Sequence, residues 1–391
     1  MQIEPDLLNT GNSKPNVAVV TWPIHQSGII PLQNLVKIIN NLANEIEIIT
    51  GAAGNQILNP DSKIRIHSVD YKLSKNTVGR IINNMIMQVK ISWKLVKIIR
   101  KVDFCIFFYG GPLLILPMIT ARLCRKKVIL HLAGSEAQDA NMQHGSLVGQ
   151  QAKVITKINY ILASRIVIYS ENLIKEWGLS KYRKKISIAH EHVLDLARFN
   201  ISKPLKDRKN TMGYFGRHSK EKGVLNFAQA VAIVVKQESQ LKFFIGGGGP
   251  LTDEVKRYIQ KHNLGNTVNL IGWIPHDELY KYLNDLRLIV IPSYTEGLPN
   301  IMLEAMACGT PVLSTPVGAI PDIIKDGETG YIMTDNSPEC IAANVIRVMN
   351  SKNLEQIIKN ARIMVESEYS LDNAVKKYKK IFSDITASPK S

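Results

Sequence analysis

The sequence predicts an α/β protein built on two parallel sheets. Three observations carry this. A chain of 391 residues exceeds a usual single domain and suggests two, each large enough for its own core. Short apolar runs alternate with helical patterns in both halves, as parallel sheets require. The residues best suited to chemistry stand just after such runs, where open α/β sheets bind ligands. Composition agrees: 45% hydrophobic and 21% charged residues are ordinary for a globular protein. No apolar run reaches the roughly 18–20 residues of a membrane span, and the polar start MQIEPDLLNTGNSKPN is not a signal peptide. Cys105, Cys124, Cys308 and Cys340 show no CxxC or regular spacing, so reduced thiols in a cytosolic protein are expected. No internal repeat or low-complexity stretch is visible.

Val17–Thr21 begins the first sheet, and Pro23–Gly28 is a loop before the helix Ile30–Ala43. Further strands are expected at Glu47–Ile49, Phe104–Phe108, Lys127–His131, Arg165–Tyr169 and Lys185–Ile188, within a first domain of residues 1–205. The polar, basic run Asn200–Asn210, with Pro204 inside, reads as a linker. A second domain, 206–370, has strands at Thr211–Tyr214, Lys242–Ile245, Thr267–Ile271, Leu288–Ile291, Pro311–Ser314 and Tyr331–Met333. Leu371–Ile385 reads as a helix within a terminal segment, 371–391.

The most informative stretch is PSYTEGLPNIMLEAMACGTPV, with two glutamates eight residues apart, Glu296 and Glu304. Pro299 suits the first position of a helix, and Gly309 with Pro311 stops it. Glu296 therefore sits on a loop at the carboxyl end of a strand, and Glu304 inside the following helix. The helix N-terminus near Leu298–Ile301 presents unpaired N–H groups and the positive end of the dipole, a seat for phosphate. A carboxylate about a turn further on can accept hydrogen bonds from sugar hydroxyls. That arrangement suits a nucleotide-sugar. Positive charge comes from GYFGRHSKEKGV, where Gly216-Arg217, Lys220, Lys222 and Gly223 precede the helical pattern Val224–Val235. Arg217 offers a planar fork of donors and Lys222 a mobile point charge for a diphosphate. The alternative, a merely solvated basic loop, weakens beside the two-glutamate segment.

These segments resemble the retaining glycosyltransferases of family four, on the two-domain GT-B scaffold. The resemblance is strongest from Met212 to Tyr331. It takes in Gly216-Arg217 with Lys222-Gly223, IGGGGP (Ile245–Pro250), VNLIGWIPHDEL (Val268–Leu279), Pro292–Val312, Thr315–Asp322 and DGETGY (Asp326–Tyr331). It implies two Rossmann-like domains facing a cleft, with a C-terminal helix crossing back to the first domain. It implies that Arg217 and Lys222 hold the donor diphosphate, that Glu296 contacts the donor sugar and that Glu304 contacts the ribose. Backbone at Gly272, Trp273 and Ile274 would hold the base, with Gly216 on the cation loop. Amides of Gly297, Leu298, Asn300 and Ile301 would receive the distal phosphate. His131, which ends an apolar strand before LAGSE, matches a family histidine that bonds the donor sugar. A core histidine is its alternative. Gly28 would let its loop approach the diphosphate, although many relatives have two glycines there and this chain has one.

AHEHVLDLARF departs from the family. Where Asn-Gly-Val-Asp is usual, this chain has His192-Val193-Leu194-Asp195. Alternate residues of His190-Glu191-His192 share a strand face, but a metal site needs a third ligand and a second shell. The chain has no Asp-x-Asp to clamp a divalent ion on a diphosphate. No metal and no cofactor are expected, the nucleotide-sugar being a substrate. IGGGGP is too short for a dinucleotide fingerprint and reads as a tight turn facing the donor.

Charge is uneven: residues 1–205 carry 26 Lys+Arg against 13 Asp+Glu, and 206–391 carry 23 against 20. Tyr71–Val102 has eight basic residues and no acidic one. Within it Ile82, Ile86, Val89, Trp93 and Val96 follow one helical stripe, and Lys90, Lys94, Lys97 and Lys101 a neighbouring one. A helix resting on an anionic membrane surface has this pattern. A core-facing helix with a solvated basic flank is the alternative. Nucleic acid is a poorer partner and is not expected, because few exposed aromatics interleave with the basic residues.

The sequence thus points to a cytoplasmic glycosyltransferase, peripheral on the inner face of the membrane, acting with retention from a UDP- or GDP-sugar. The expected acceptor is a lipid-linked or cell-envelope glycan. A nucleotide-sugar epimerase or sugar phosphorylase on the same fold stays open, as does a non-catalytic, nucleotide-dependent membrane-surface binding protein.

Overall fold

The computed structural model describes residues 14–24, 28–52, 63–71, 74, 77–134 and 146–387. Parts of the sequence reading fall outside these residues: His25–Ser27 of the first loop, Lys72 and Lys75 of the basic segment, and Ser135-Glu136 after His131.

A seven-stranded sheet contains β1 (Val17–Thr21), β2 (Ile46–Thr50), β3 (Ile64–Ser68), β4 (Phe104–Phe108), β5 (Lys127–His131), β6 (Arg165–Ile168) and β7 (Ile186–Ile188). Its order is β3-β2-β1-β4-β5-β6-β7. A six-stranded sheet contains β8 (Thr211–Phe215), β9 (Lys242–Gly246), β10 (Val268–Gly272), β11 (Leu288–Ile291), β12 (Val312–Ser314) and β13 (Tyr331–Ile332), ordered β10-β9-β8-β11-β12-β13. Every pair with a described register is parallel. This is the two-sheet α/β fold expected of a GT-B protein. β1 and β8 are buried throughout, the continuous apolar pattern that a sheet covered on both faces demands.

The chain divides into two compact units: Met1–His131 with Ile161–Arg165 and Tyr378–Ser391, and Leu132–Tyr160 with Ile166–Lys377. The C-terminal helix, Leu371–Ala387, delivers its last turns to the first unit. There Phe382 meets Phe104 edge-on at 4.9 Å, and Lys127 Nζ donates to the Ile385 carbonyl at 2.7 Å. The core of the second unit joins Val224, Phe227 and Val231 of the helix Val224–Gln237 to Met212, Phe243, Val290 and Leu313 of the strands.

One segment differs from the sequence reading, and a second separates its two alternatives. The run 200–210 is not a loose tether. Arg208 is buried and donates to the carbonyls of Leu286 at 2.9 Å and Cys308 at 2.7 Å, and to Thr310 Oγ1 at 2.8 Å. Its charge satisfies carbonyls at chain ends that water cannot reach. The helix Thr77–Ile98 leaves the expected stripe outside, so the core-facing alternative for that stripe does not hold. Met87, Ile91, Leu95 and Ile98 are buried, whereas Ile82, Ile86, Val89, Trp93 and Val96 of the anticipated stripe are 47–59% exposed. The helix carries two apolar stripes, and the core takes the other one.

Candidate functional site

Open α/β sheets bind ligands outside the carboxyl ends of strands where the strand order reverses. In the second unit that reversal lies between β8 and β11, which pair through Leu288 with Met212. The segment after β8 carries Gly216, Arg217 and Lys222, and the segment after β11 carries Ser293 and Glu296. The fold therefore converges the two charged loops.

The convergence is direct. Lys222 Nζ lies 2.8 Å from Glu296 Oε1, and Ser293 Oγ donates to the same oxygen at 2.7 Å. The lysine side chain is 31% exposed and the glutamate 8%, so the pair has one solvent-facing member. Arg217 Nη1 stands 3.9 Å from Glu221 Oε1, which also accepts from Ser219 Oγ at 2.7 Å. Tyr214 OH donates to the Arg217 carbonyl at 2.7 Å and fixes the turn. Burial holds the Tyr214 phenol well above its ordinary pKa, and the charges of Glu296 and Glu221 add to this. Gly223 adopts φ +68°, and an added Cβ would run into the Pro292 carbonyl oxygen. Only glycine lets the cation loop lie this close to the end of β11.

The helix Asn300–Ala307 starts one residue later than expected, with Pro299 preceding it in extended conformation. Its first amides, at Asn300 and Ile301, have no acceptor one turn earlier within the helix. Glu304 is buried on this helix and bonds to His276 Nε2 at 2.7 Å. That hydrogen bond raises the His276 pKa above the ordinary histidine value, against the pull of burial. The imidazole donates from Nε2 to one carboxylate oxygen and leaves the other for a further donor.

The glycine run meets the cation loop as well. Gly216 N–H donates to the Gly246 carbonyl at 3.1 Å, His218 N–H to Gly248 at 2.9 Å, and Gly247 N–H to Gly272 at 2.6 Å. Gly272, Trp273 and Ile274 thus adjoin the same corner, with the Trp273 ring 74% exposed.

The remaining first-domain residues sit in packed surroundings. His131 is 0% exposed; its Nε2 lies 2.7 Å from Tyr378 OH, and its ring meets Phe108 edge-on at 5.1 Å. This favours the core-histidine alternative. Gly28 is buried, and an added Cβ would stand 3.0 Å from both Ile24 Cβ and Tyr109 Cε1. Packing alone accounts for a glycine there. His190, Glu191 and His192 are all buried. Among the described residues no group of three or more His, Cys, Asp or Glu is placed to hold a metal ion.

Sequence reasoning assigned no role to His276, Ser293, Glu221 or Tyr214. His276 lies in the quoted WIPHDEL segment, 28 residues before Glu304, and nothing local links the two. Ser293 lies three residues before Glu296, and Tyr214 and Glu221 lie three before and four after Arg217, so spacing could have revealed these partners.

Residues 197–364 match the family model for glycosyl transferases group 1. That span contains the expected donor-side residues from Gly216 to Glu304 and neither His131 nor Gly28. The chain is similar to an uncharacterized glycosyltransferase of Methanocaldococcus jannaschii, 28% identical over 200 residues, 51% of this chain and 50% of that protein. It is also similar to the amylovoran biosynthesis glycosyltransferase AmsK of Erwinia amylovora, 29% identical over 161 residues, 39% and 40% of the respective chains. The matches span about half or less of these relatives. Among solved structures, HepE of Anabaena in complex with UDP matches with a TM-score of 0.73, covering 94% of this chain and 100% of that one at 14% identity. At that identity the likeness is one of fold.

Proposed function

We propose that this protein is a glycosyltransferase of the group 1 type, moving a sugar from a nucleoside diphosphate to an acceptor with retention and without a metal ion. The carrying observation is the meeting of Lys222 and Glu296 at 2.8 Å, from segments after the two strands that flank the order reversal. Residues 206–370 would hold the donor and 1–205 the acceptor, with 371–391 returning to the first domain.

Arg217, Lys222 and the amides at Gly297, Leu298, Asn300 and Ile301 would hold the diphosphate. Glu304, steadied by His276, would take the ribose hydroxyls, and Glu296 the sugar. The bond from the anomeric carbon to the diphosphate oxygen breaks, and negative charge develops on that oxygen. The acceptor hydroxyl then bonds to the anomeric carbon on the same face, and its proton passes to the departing phosphate. Stabilising the departing charge matters more than a strong base, and preorganised donors do this best. HepE was crystallised with UDP, which supports a uridine donor; the name of AmsK supports a polysaccharide-building acceptor. Calorimetry or thermal shift across UDP-, GDP- and ADP-sugars tests the donor. A binding ligand raises the melting temperature with concentration, and no response to any of them rejects the reading.

The helix Thr77–Ile98 supports work at the cytoplasmic face of an anionic membrane. Ile81, Ile82, Met85, Ile86, Val89, Trp93 and Val96 form an exposed apolar strip, and Lys97 Nζ sits 3.2 Å over the Trp93 ring. Lys90, Lys94 and Lys101 continue the basic flank. Each lysine near an anionic surface contributes about 1 kcal/mol. Among the described residues no helix is long and apolar enough to cross a membrane, so the helix would lie on the surface. Wild type should co-sediment with anionic liposomes at low salt, and changing Lys90, Lys94, Lys97 and Lys101 to Gln should abolish this. Equal sedimentation of the two proteins would leave the helix without that role.

A further inference from the structure

Three buried ionisable side chains of the second unit remain outside the donor chemistry, and two of them, Tyr169 and His192, adjoin its loop. Tyr169, just after β6, donates its hydroxyl to Glu191 Oε1 at 2.8 Å. That oxygen lies 4.0 Å from His192 Nδ1, and the rings of Tyr169 and His192 meet edge-on at 4.9 Å. His192 Nε2 lies 3.0 Å from the Leu298 carbonyl oxygen. A carbonyl only accepts, so Nε2 carries the hydrogen. Burial lowers His192 to about 4, which keeps the ring neutral, and pushes Glu191 up to about 7. The other titratable groups at the cluster are His190, whose ring is 5.9 Å from that of His192, and Tyr369, stacked on His190 at 4.5 Å.

Gly297 is gripped from the same side. An added Cβ there would collide with the Ala133 carbonyl oxygen and stand 3.1 Å from Tyr169 Cε2. Tyr169 and His192 therefore hold consecutive residues, 297 and 298, where the chain turns into the helix Asn300–Ala307. Apolar side chains would fill this volume without the desolvation that buried ionisable groups incur. What they could not do is fix the direction of the Leu298 carbonyl, and with it the entry of the chain into the helix.

We propose that Tyr169, Glu191 and His192 are positioning residues that preset the Gly297–Leu298 backbone, and through it the amides that receive the distal phosphate of the donor. This rests on the donor reading above.

The test is calorimetric binding of UDP against UMP, which lacks the distal phosphate. His192→Ala should weaken UDP about tenfold, the worth of one hydrogen bond, and leave UMP within about twofold. His192→Gln, whose amide can still reach Leu298, should recover most of the loss. Tyr169→Phe, which keeps the ring and removes only the hydroxyl, should weaken UDP about threefold and spare UMP. Equal losses on the two nucleotides overturn the proposal. So does an unchanged preference for UDP in Tyr169→Phe, which decides the matter if His192→Ala does not fold. Wild-type protein that binds neither nucleotide rejects the donor reading itself, and this inference with it.

Discussion

The carboxyl ends of the two sheets treat their polar side chains in opposite ways. After β8 and β11, Lys222 meets Glu296 with the lysine part-solvated, and His276 meets Glu304 on the neighbouring helix. After β1 and β4, the loops bond to one another instead, Trp22 N–H to the Tyr109 carbonyl at 3.1 Å, and His131 at the end of β5 is sealed against Tyr378. Both sheets reverse strand order, so topology offers each a crevice. The difference teaches that the same topological position can carry a part-solvated ion pair in one sheet and an enclosed histidine in the other.

The sharpest way to break this contrast is to remove the cations. Arg217→Ala and Lys222→Ala should each lower turnover about a hundredfold at saturating donor, since a lost preorganised donor is worth about 2.7–4 kcal/mol. Both variants should melt near the wild-type temperature. Unchanged turnover in either would remove that cation from the chemistry.

Glu191 asks whether burial, rather than membership of the second unit, decides the behaviour of a charge. Its carboxyl is pushed up from 4.5 to about 7 by burial. The folded state keeps a proton that the unfolded state gives up, so stability falls as pH rises from about 4.5 to 7, by roughly 3 kcal/mol. Glu191→Gln has nothing to ionise there. Its melting temperature should gain on wild type from pH 5 to 7 and level off above. A difference independent of pH would mean that Glu191 is ionised throughout.

In the first unit, Tyr378→Phe removes the partner of a fully buried histidine and should destabilise by about 1–3 kcal/mol, read from denaturant unfolding. Turnover per folded molecule should not change. A fall in turnover with stability intact would put His131 in the chemistry and erase the contrast.

The smallest expected effect separates the two carboxylates. Glu304→Gln should raise the donor KM about threefold with little change in kcat, as a contact made equally in ground and transition states does. Glu296→Gln should act mainly on kcat. Reversed effects on the two constants would exchange their roles.

Much of this architecture could be read from residue order. The bounds of β1, β4, β5 and β11 follow from apolar runs with clear breakers, and Glu296 and Glu304 from a strand–loop–helix pattern. β3 (Ile64–Ser68) escaped because Arg65 and His67 alternate with apolar residues, and Arg65 pairs with Glu45 and Glu47, far away in sequence. The exposed stripe of the helix Thr77–Ile98 was legible, but its buried one, Met87, Ile91, Leu95 and Ile98, was not, because periodicity counts apolar stripes without saying which one the core takes. Arg208 was read as linker because composition cannot show that a charge will be enclosed by carbonyls. His276 with Glu304, and Tyr169 with Glu191, are pairs that exist only once strands from distant segments are side by side.

The return of the C-terminal helix to the first unit has a consequence for synthesis. Ile385 accepts a hydrogen bond from Lys127, 258 residues earlier in the chain. A ribosome adding about 5–20 residues per second needs on the order of 13–50 s to span that interval. During that time Phe104 and His131 wait without Phe382 and Tyr378, leaving an apolar surface open. The first-made domain is thus the last to close, and a nascent chain stalled before residue 378 would present chaperones with an unfinished N-terminal half beside a complete C-terminal sheet.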